Sequence, residues 1–533
     1  MPTTDCYPMT VAPGLSRLFL DFCAGAEAPR PFFSGNDIHA QWDRRPAPAA
    51  HLAQLADLVA AQNPSATNAI EAFRRNAGVV ITGQQVGLLG GPLFTAFKAA
   101  SAVARARQAT AAGQPHVAVF WLASEDHDFE EIQSVTFPAR RELRTLTYPD
   151  KPGAAVPVGG VVLGDAIEPL LEQAAEVLGE SDALEALRQA YRPGRTFAQA
   201  FADFYARVFA AQGLLVFDAS GREAHRLGAP VLRAALERAD EFHAALLERN
   251  EALLAAGYHA QVAVGEQSSL LFLIDTETGA RIALKRAAPS AAEPDGLWQA
   301  GAAKYSTAEL LGILDAAPER ISPSALLRPV FQDYLFSSSL TIGGPAEIAY
   351  FAQSAVLYER ILGRMTPVQP RFSATIVEPD IAELLRKHEL SFERIVSETE
   401  ESLTQLLAAR SMPVEGKRKL AASGNALDTE LDELVTWMQA MDQGLGQSAE
   451  TAAGKIRYQM NRLRQLAANF QAQKEASLAR HAQAIVRALY PEQNLQERVH
   501  GAAWYFARHG FDLAEMLVEQ AASKTPEHAL IWA

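Results

Sequence analysis

Glu125-Asp126-His127-Asp128, with Glu130 and Glu131 close behind, is a dense run of titratable side chains in a 533-residue chain. It follows the apolar run "VAVFWL" (117–122) after Ala123 and Ser124. Carboxylates flanking a histidine can hold the imidazole in one tautomer, supply a general base or coordinate a cation. Asp126, His127 and Asp128 are therefore candidate catalytic residues, and Glu125 a candidate substrate contact. A plainer reading competes: Asp128 followed three residues later by Glu131 is a helix start, with acids complementing the helix dipole. A resident metal is not expected, because consecutive residues of an extended chain point to opposite faces and cannot easily meet one ion.

A second constellation is "GVVITGQQVGLLGGPLFTAFKAA" (78–100). Gly83, Gly90 and Gly91 permit close backbone approach, Pro92 suits a first helical position, and Lys98 suits a phosphate or a neighbouring acid. The stretch matches neither the phosphate-loop nor the dinucleotide glycine pattern, so motif rules alone assign no nucleotide. Two uses of the glycines stand side by side. One is an anion cradle; the other is close packing of the helix over 92–111 on a sheet. Gln84 and Gln85 within the stretch are candidate substrate contacts. The third constellation spans 322–353. Arg328 can clamp a carboxylate or phosphate bidentately. Gln332, Glu347 and Tyr350 are candidate substrate contacts, and Gly343 and Gly344 candidate anion contacts at a strand-to-helix turn.

These residues need a scaffold, and the hydrophobic patterning supplies one. The apolar runs at 78–84, 116–124 and 214–218 lack alternation, as parallel strands covered on both faces do. An insert over about 136–205 separates the second run from the third. Another, over about 225–325, contains "SSLLFLIDTETGARIALKR", which reads as an antiparallel hairpin turning at "TETG". Residues 1–375 are thus expected to form a Rossmann-like α/β core with two inserts. From 376 to 489 the pattern turns helical. Leu427, Leu431, Leu434, Met438, Met441 and Leu445, then Ile456, Met460, Leu463, Ala467 and Phe470, keep a heptad rhythm. That predicts an antiparallel coiled coil whose helices are joined by "SMPVEGK" (411–417), with self-association as a homodimer. Residues 490–533 are expected to be a helical segment packing back on the core.

Composition narrows the function classes. Hydrophobic residues make up 49 % and charged residues 21 %, which fits a globular chain. A net charge of −14 argues against nucleic acid as the main partner. No apolar stretch has a membrane span's length, the first residues lack a secretory pattern, and two cysteines build no disulfide framework. The expected location is cytoplasmic, with no membrane partner.

Taken together, "TGQQVGLLGGPLFTAFKA", "VFWLASEDHDFEEI", "GYHAQV", "LLRPVFQD", "IGGPAEIAYFAQ", "QPRFS" and "LQERV" resemble, in this order, the cysteine-adding enzymes of bacillithiol biosynthesis. The resemblance covers essentially the whole chain. It implies a core similar to class I aminoacyl-tRNA synthetases, two connecting inserts and a protruding coiled coil. It also implies ligation of cysteine to the amino group of glucosaminyl-malate, with ATP or another nucleotide as the energy source. The signature histidine of class I synthetases has no counterpart in 83–98, and no KMSKS-like loop is found. Two other classes stay open at this point: a metal- or nucleotide-dependent hydrolase on the same core, and a coiled-coil scaffold.

Overall fold

In the computed structural model, which describes residues 4–40, 42–45, 47–286, 297–474, 476–523 and 526–533, the apolar runs form one parallel sheet. Its strands are β1 (Gly78–Gln84), β2 (His116–Leu122), β3 (Leu215–Asp218), β4 (Leu340–Gly343) and β5 (Val368–Pro370). They lie in the order β5-β4-β1-β2-β3, every pair parallel. Val79 to Ile81 and Val119 to Leu122 are at most 1 % exposed, which is why these runs carry no polar alternation.

The order has a consequence for function. The chain lays down β1, β2 and β3 toward one edge, then returns to place β4 on the other side of β1. The carboxyl ends of β1 and β4 therefore diverge into a crevice at a topological switch point, where open α/β sheets bind ligands.

Helix α1 (Phe94–Ala111) follows β1. Its alanines at 96, 99, 100, 102, 104 and 106 are buried, and small side chains let it lie close to the sheet. It begins two residues later than the sequence suggests. Pro92 bridges to Gly501 instead of opening the helix, and the Leu93 N–H donates to the His500 carbonyl at 2.8 Å. A partner distant in sequence fixes the turn's geometry.

Between β2 and β3 lie the hairpin Ser134–Pro138/Leu143–Thr147 and the helices Ile167–Leu178, Asp182–Ala190 and Phe197–Val208. Between β3 and β4 lie two long helices, Arg222–Glu237 and Ala239–Ala255, and a five-stranded antiparallel sheet. In that sheet Ser268–Ile274 pairs with Arg281–Arg286 through the expected hairpin, whose turn Asp275 ties by accepting the Thr278 N–H at 2.8 Å.

The chain divides into two compact units. The larger holds Asp5–Thr375 and Glu497–Leu530; the smaller holds Ile376–Gln496 and Ile531–Ala533. The end of the chain is not wholly helical, because Glu527–Trp532 is a strand. In the smaller unit the long helices are Val414–Met441 and Gln443–Lys474. They turn at Asp442, not at 411–417, which joins only the shorter helix Glu400–Ser411 to the first long one. Asp442 is extended (φ −163°, ψ 140°) and its Oδ1 accepts the Leu445 N–H, ending one helix and starting the next. The heptad rhythm read across 441–445 thus crosses a turn. The seam buries Leu431, Val435, Ala449 and Ala453, with Leu427 and Met438 against them. Leu434, Leu463 and Phe470 stay 50 %, 55 % and 67 % exposed.

Candidate active site

The crevice between the ends of β1 and β4 has a volume of about 280 Å³. Its floor is Thr82, Gly83 and Gln84 from β1 and Thr341, Ile342 and Gly344 from the β4 end. Lys98 rises into it from α1, fully buried. The ammonium donates to the Gly83 carbonyl at 2.7 Å and to Gln84 Oε1 at 2.8 Å, and is ion-paired with Glu347. Burial pulls the Lys98 pKa below its ordinary value, and Glu347 opposes the shift. Glu347 is itself set by the helix α2 (Pro345–Leu362), whose first turn it occupies. There it accepts the Gly344 N–H at 2.6 Å, as a first-turn acid should.

Asp126 stands on the opposite wall, just past the end of β2. It accepts a hydrogen bond from Gln85 Nε2 at 3.1 Å and faces Arg328 Nη2 at 3.9 Å. Burial raises this carboxyl, but Arg328, the His127 N–H, Arg281 and Gln85 together hold it below its usual range. Asp126 is therefore held as an anion. Tyr350, its phenol pushed up by burial and by Glu347, and Gln332 complete this wall.

The candidate trio is brought together only in part: His127 Nδ1 lies 3.7 Å from Asp126 Oδ1, while Asp128 stands apart. His127 turns away from the crevice, toward a second cavity, and its Nδ1 lies 3.1 Å from Arg281 Nη1. A guanidinium can only donate, so Nδ1 accepts and the ring N–H is the one on Nε2. His127 is thus a donor toward the second cavity and lies outside the crevice. Asp128 lines neither cavity; it caps the short helix Phe129–Ile132 by accepting the Glu131 N–H at 3.2 Å. The plainer reading of that residue is the one the fold uses.

Glu125 is buried away from both cavities and ion-paired with the fully buried His225 at 3.0 Å. Burial alone would neutralise both groups, yet their mutual attraction, with Arg281 beside Glu125, leaves the Glu125 pKa lowered and the His225 pKa raised. Glu125 is a structural anchor for the inserted sheet rather than a substrate contact.

Gly90 and Gly91 also stand outside the crevice. Gly90 (φ +88°) donates its N–H to the Tyr191 hydroxyl at 2.9 Å and accepts the Tyr205 hydroxyl at 2.8 Å. A Cβ there would meet Phe204 at 2.6 Å. These glycines let the aromatic face of the insert helix Phe197–Val208 close over the turn, a steric role. Gly343 supports the crevice from behind, its missing Cβ facing Glu347 and Phe351 at 3.2 Å.

Two crevice cations escaped the sequence reading. Arg371, just past β5, is buried and paired with Glu497 at 2.5 Å, while Arg498 is exposed and without an ion pair among the described residues. Glu497 also accepts the Ala374 N–H at 3.0 Å. Both arginines sit in short motifs, "QPRFS" and "LQERV", but a strand end meeting a segment more than a hundred residues away leaves no local pattern. Among the described residues, no three His, Cys, Asp or Glu side chains converge as metal ligands, and no helix is long and apolar enough to cross a membrane.

A Rossmann-like sheet with a polar crevice at its switch point, two inserts and a helical hairpin defines an α/β enzyme with an appended coiled coil. Family models agree over nearly the whole chain. Residues 4–372 match "Bacillithiol biosynthesis BshC, N-terminal Rossmann-like domain", and residues 374–532 match "Bacillithiol biosynthesis BshC, C-terminal coiled-coil domain". A relative from Koribacter versatilis is 40 % identical over 99 % of both chains. One from Solibacter usitatus is 34 % identical over 88 % of this chain and 87 % of its own, and one from Salinibacter ruber 29 % over 96 % of both. All three are named "Putative cysteine ligase BshC". The chain belongs to the bacillithiol biosynthesis BshC family and is a ligase.

Proposed function

We propose that the enzyme forms an amide between the carboxyl group of cysteine and the amino group of glucosaminyl-malate, using ATP or another nucleotide, in the cytoplasm. The observation that carries the reading is the polarity of the switch-point crevice. Lys98, Arg371 and Arg498 gather at one end, and the low-pKa carboxylate of Asp126 stands at the other.

That polarity fits an anion at one end and an ammonium at the other. Arg498, which has no ion pair among the described residues, would hold a phosphate or carboxylate. A nucleotide at that end supplies the energy that joining a free carboxylate to an amine requires. Asp126 orients the amine by its charge, and Gln85 fixes the carboxylate in turn. The C–N bond then forms as the activated carboxyl loses one oxygen with its activating group, and the ammonium nitrogen releases two of its three protons to solvent, keeping the third as the amide N–H.

Leu434, Leu463 and Phe470 form exposed apolar positions along the hairpin, and we assign them to the interface of a homodimer, which light scattering of full-length protein reads directly. The function itself is tested by mass spectrometry of low-molecular-weight thiols in cells with and without the protein. Loss of the cysteinyl product with build-up of glucosaminyl-malate is expected; an unchanged thiol profile refutes the reading.

A further inference from the structure

A second, larger cavity of about 750 Å³ lies between the inserted antiparallel sheet and the helices Arg222–Glu237 and Ala239–Ala255. It is a neighbour of the crevice, since Asp126, Ala325 and Arg328 line both. We infer that this chamber binds the amine-bearing co-substrate, a polar amine that also carries carboxylates, and presents its nitrogen to the crevice at Asp126. This rests on the ligation reading above and adds to it the place and polarity of the acceptor's site.

Three observations point to such a ligand. The first is size: small-ligand sites run to roughly 300–1,000 Å³, so the crevice alone is small for two substrates and a nucleotide, whereas the chamber takes a whole glycoside. The second is a set of polar atoms that the fold leaves unused. His243 Nδ1, Ser324 Oγ, Arg286 Nη1 and Arg328 Nε all belong to chamber-lining residues. Each is buried without a hydrogen-bond partner among the described residues. Buried polar groups are normally satisfied, and a cluster of exceptions around one cavity calls for a partner that is not protein. Two of the four are guanidinium N–H groups, which demand acceptor atoms.

The third observation is charge. Arg286 is held by Asp240 at 3.0 Å, and Arg281 by Ser322, the Pro323 carbonyl and His127. Lys285 has no ion pair among the described residues and stands on the chamber wall. The chamber thus offers spare donors and a spare cation away from the crevice, and the Asp126 carboxylate where the two cavities meet. A ligand that is acidic at one end and an ammonium at the other satisfies both. The His127 Nε2–H, fixed by Arg281, adds a donor suited to a hydroxyl.

The test is calorimetric titration of the full-length protein with glucosaminyl-malate, with glucosamine and with malate. Wild type is compared with Lys285→Glu, which alters an exposed side chain, and with Ala283→Trp, which fills the chamber from its exposed wall. Both variants should bind glucosaminyl-malate at least about tenfold more weakly, a shift well outside the scatter of a titration. Their affinity for cysteine and their melting temperature should be unchanged. Glucosamine and malate should each bind the wild type more weakly than the conjugate. Equal affinity of both variants and wild type for glucosaminyl-malate overturns the chamber assignment and leaves the ligation reading standing. Glucosamine binding as tightly as the conjugate overturns the carboxylate end. A wild type that binds no glucosaminyl-malate overturns the substrate reading itself, and this inference with it.

Discussion

Two turns in this molecule have nearly the same local sequence grammar: an apolar strand, a pair of glycines, a proline and a helix. The one after β1 runs Gly90-Gly91-Pro92 and the one after β4 runs Gly343-Gly344-Pro345, and the two strands are neighbours in the sheet. They do different work. In the first, the glycines have positive φ, and the insert's Tyr191, Phe204 and Tyr205 close over Gly90. In the second, Gly344 has an ordinary φ of −78° and lies against Glu347, Arg371 and Lys98. The first glycine pair serves packing and the second serves the crevice. A glycine pair therefore says that something comes close; what comes close is decided by elements elsewhere in the chain.

The contrast can be broken most forcefully at the group the second turn faces. Lys98→Met should remove about 3–5 kcal/mol of stability by leaving Glu347 and two oxygen acceptors without their cation. It should also abolish ligation in the fraction that stays folded. Chemical unfolding read by circular dichroism, beside a product assay, checks both. Full turnover in a folded variant would detach this turn from the chemistry.

Gly90→Ala is the steric counterpart. The new methyl group meets the Phe204 ring and sits at a positive φ, so a loss of about 1–3 kcal/mol in unfolding free energy is expected from overpacking. The kcat/KM of the folded enzyme should stay near that of the wild type. Gly344→Ala should do the reverse. Its Cβ would lie 3.3 Å from Glu347 Oε2, a side-chain end that can shift, so the melting temperature should hardly move. The displaced Glu347 should cost about tenfold in kcat/KM, equivalent to about 1.4 kcal/mol. If both variants lose stability and neither loses turnover, the two turns are alike and the comparison fails.

The smallest effect is expected at Asp128. As a helix cap, its replacement by Ala should cost about 1 kcal/mol of stability and leave the reaction rate intact. A large drop in turnover without destabilisation would return Asp128 to the catalytic list.

How much of this was legible follows from the same logic. The strands were, because burial on both faces writes itself as uninterrupted Val, Ile, Phe and Trp. Asp126 and Arg328 were, because charge at the end of an apolar run or beside a proline is conspicuous. The choice between Asp126 and its neighbours was not: which of four consecutive polar residues faces a crevice depends on where β4 lies. Arg371 and Glu497 were quoted within motifs yet passed over, since their meaning is their pairing. The coiled-coil turn was misplaced because a heptad rhythm continues through Asp442 in sequence while the backbone does not. Pro92 looked like a helix opener, but its place is set by Gly501.

The pairing of Arg371 with Glu497 spans 126 residues and encloses nearly all of the smaller unit. On a ribosome adding roughly 5–20 residues per second, Arg371 therefore emerges about 6–25 s before its carboxylate partner exists. Throughout that interval the sheet can assemble, but one wall of the crevice carries a cation with nothing to neutralise it. The helical hairpin is synthesised inside the same interval. The crevice is consequently among the last parts of the larger unit to be completed during synthesis, although its first residues are made among the earliest.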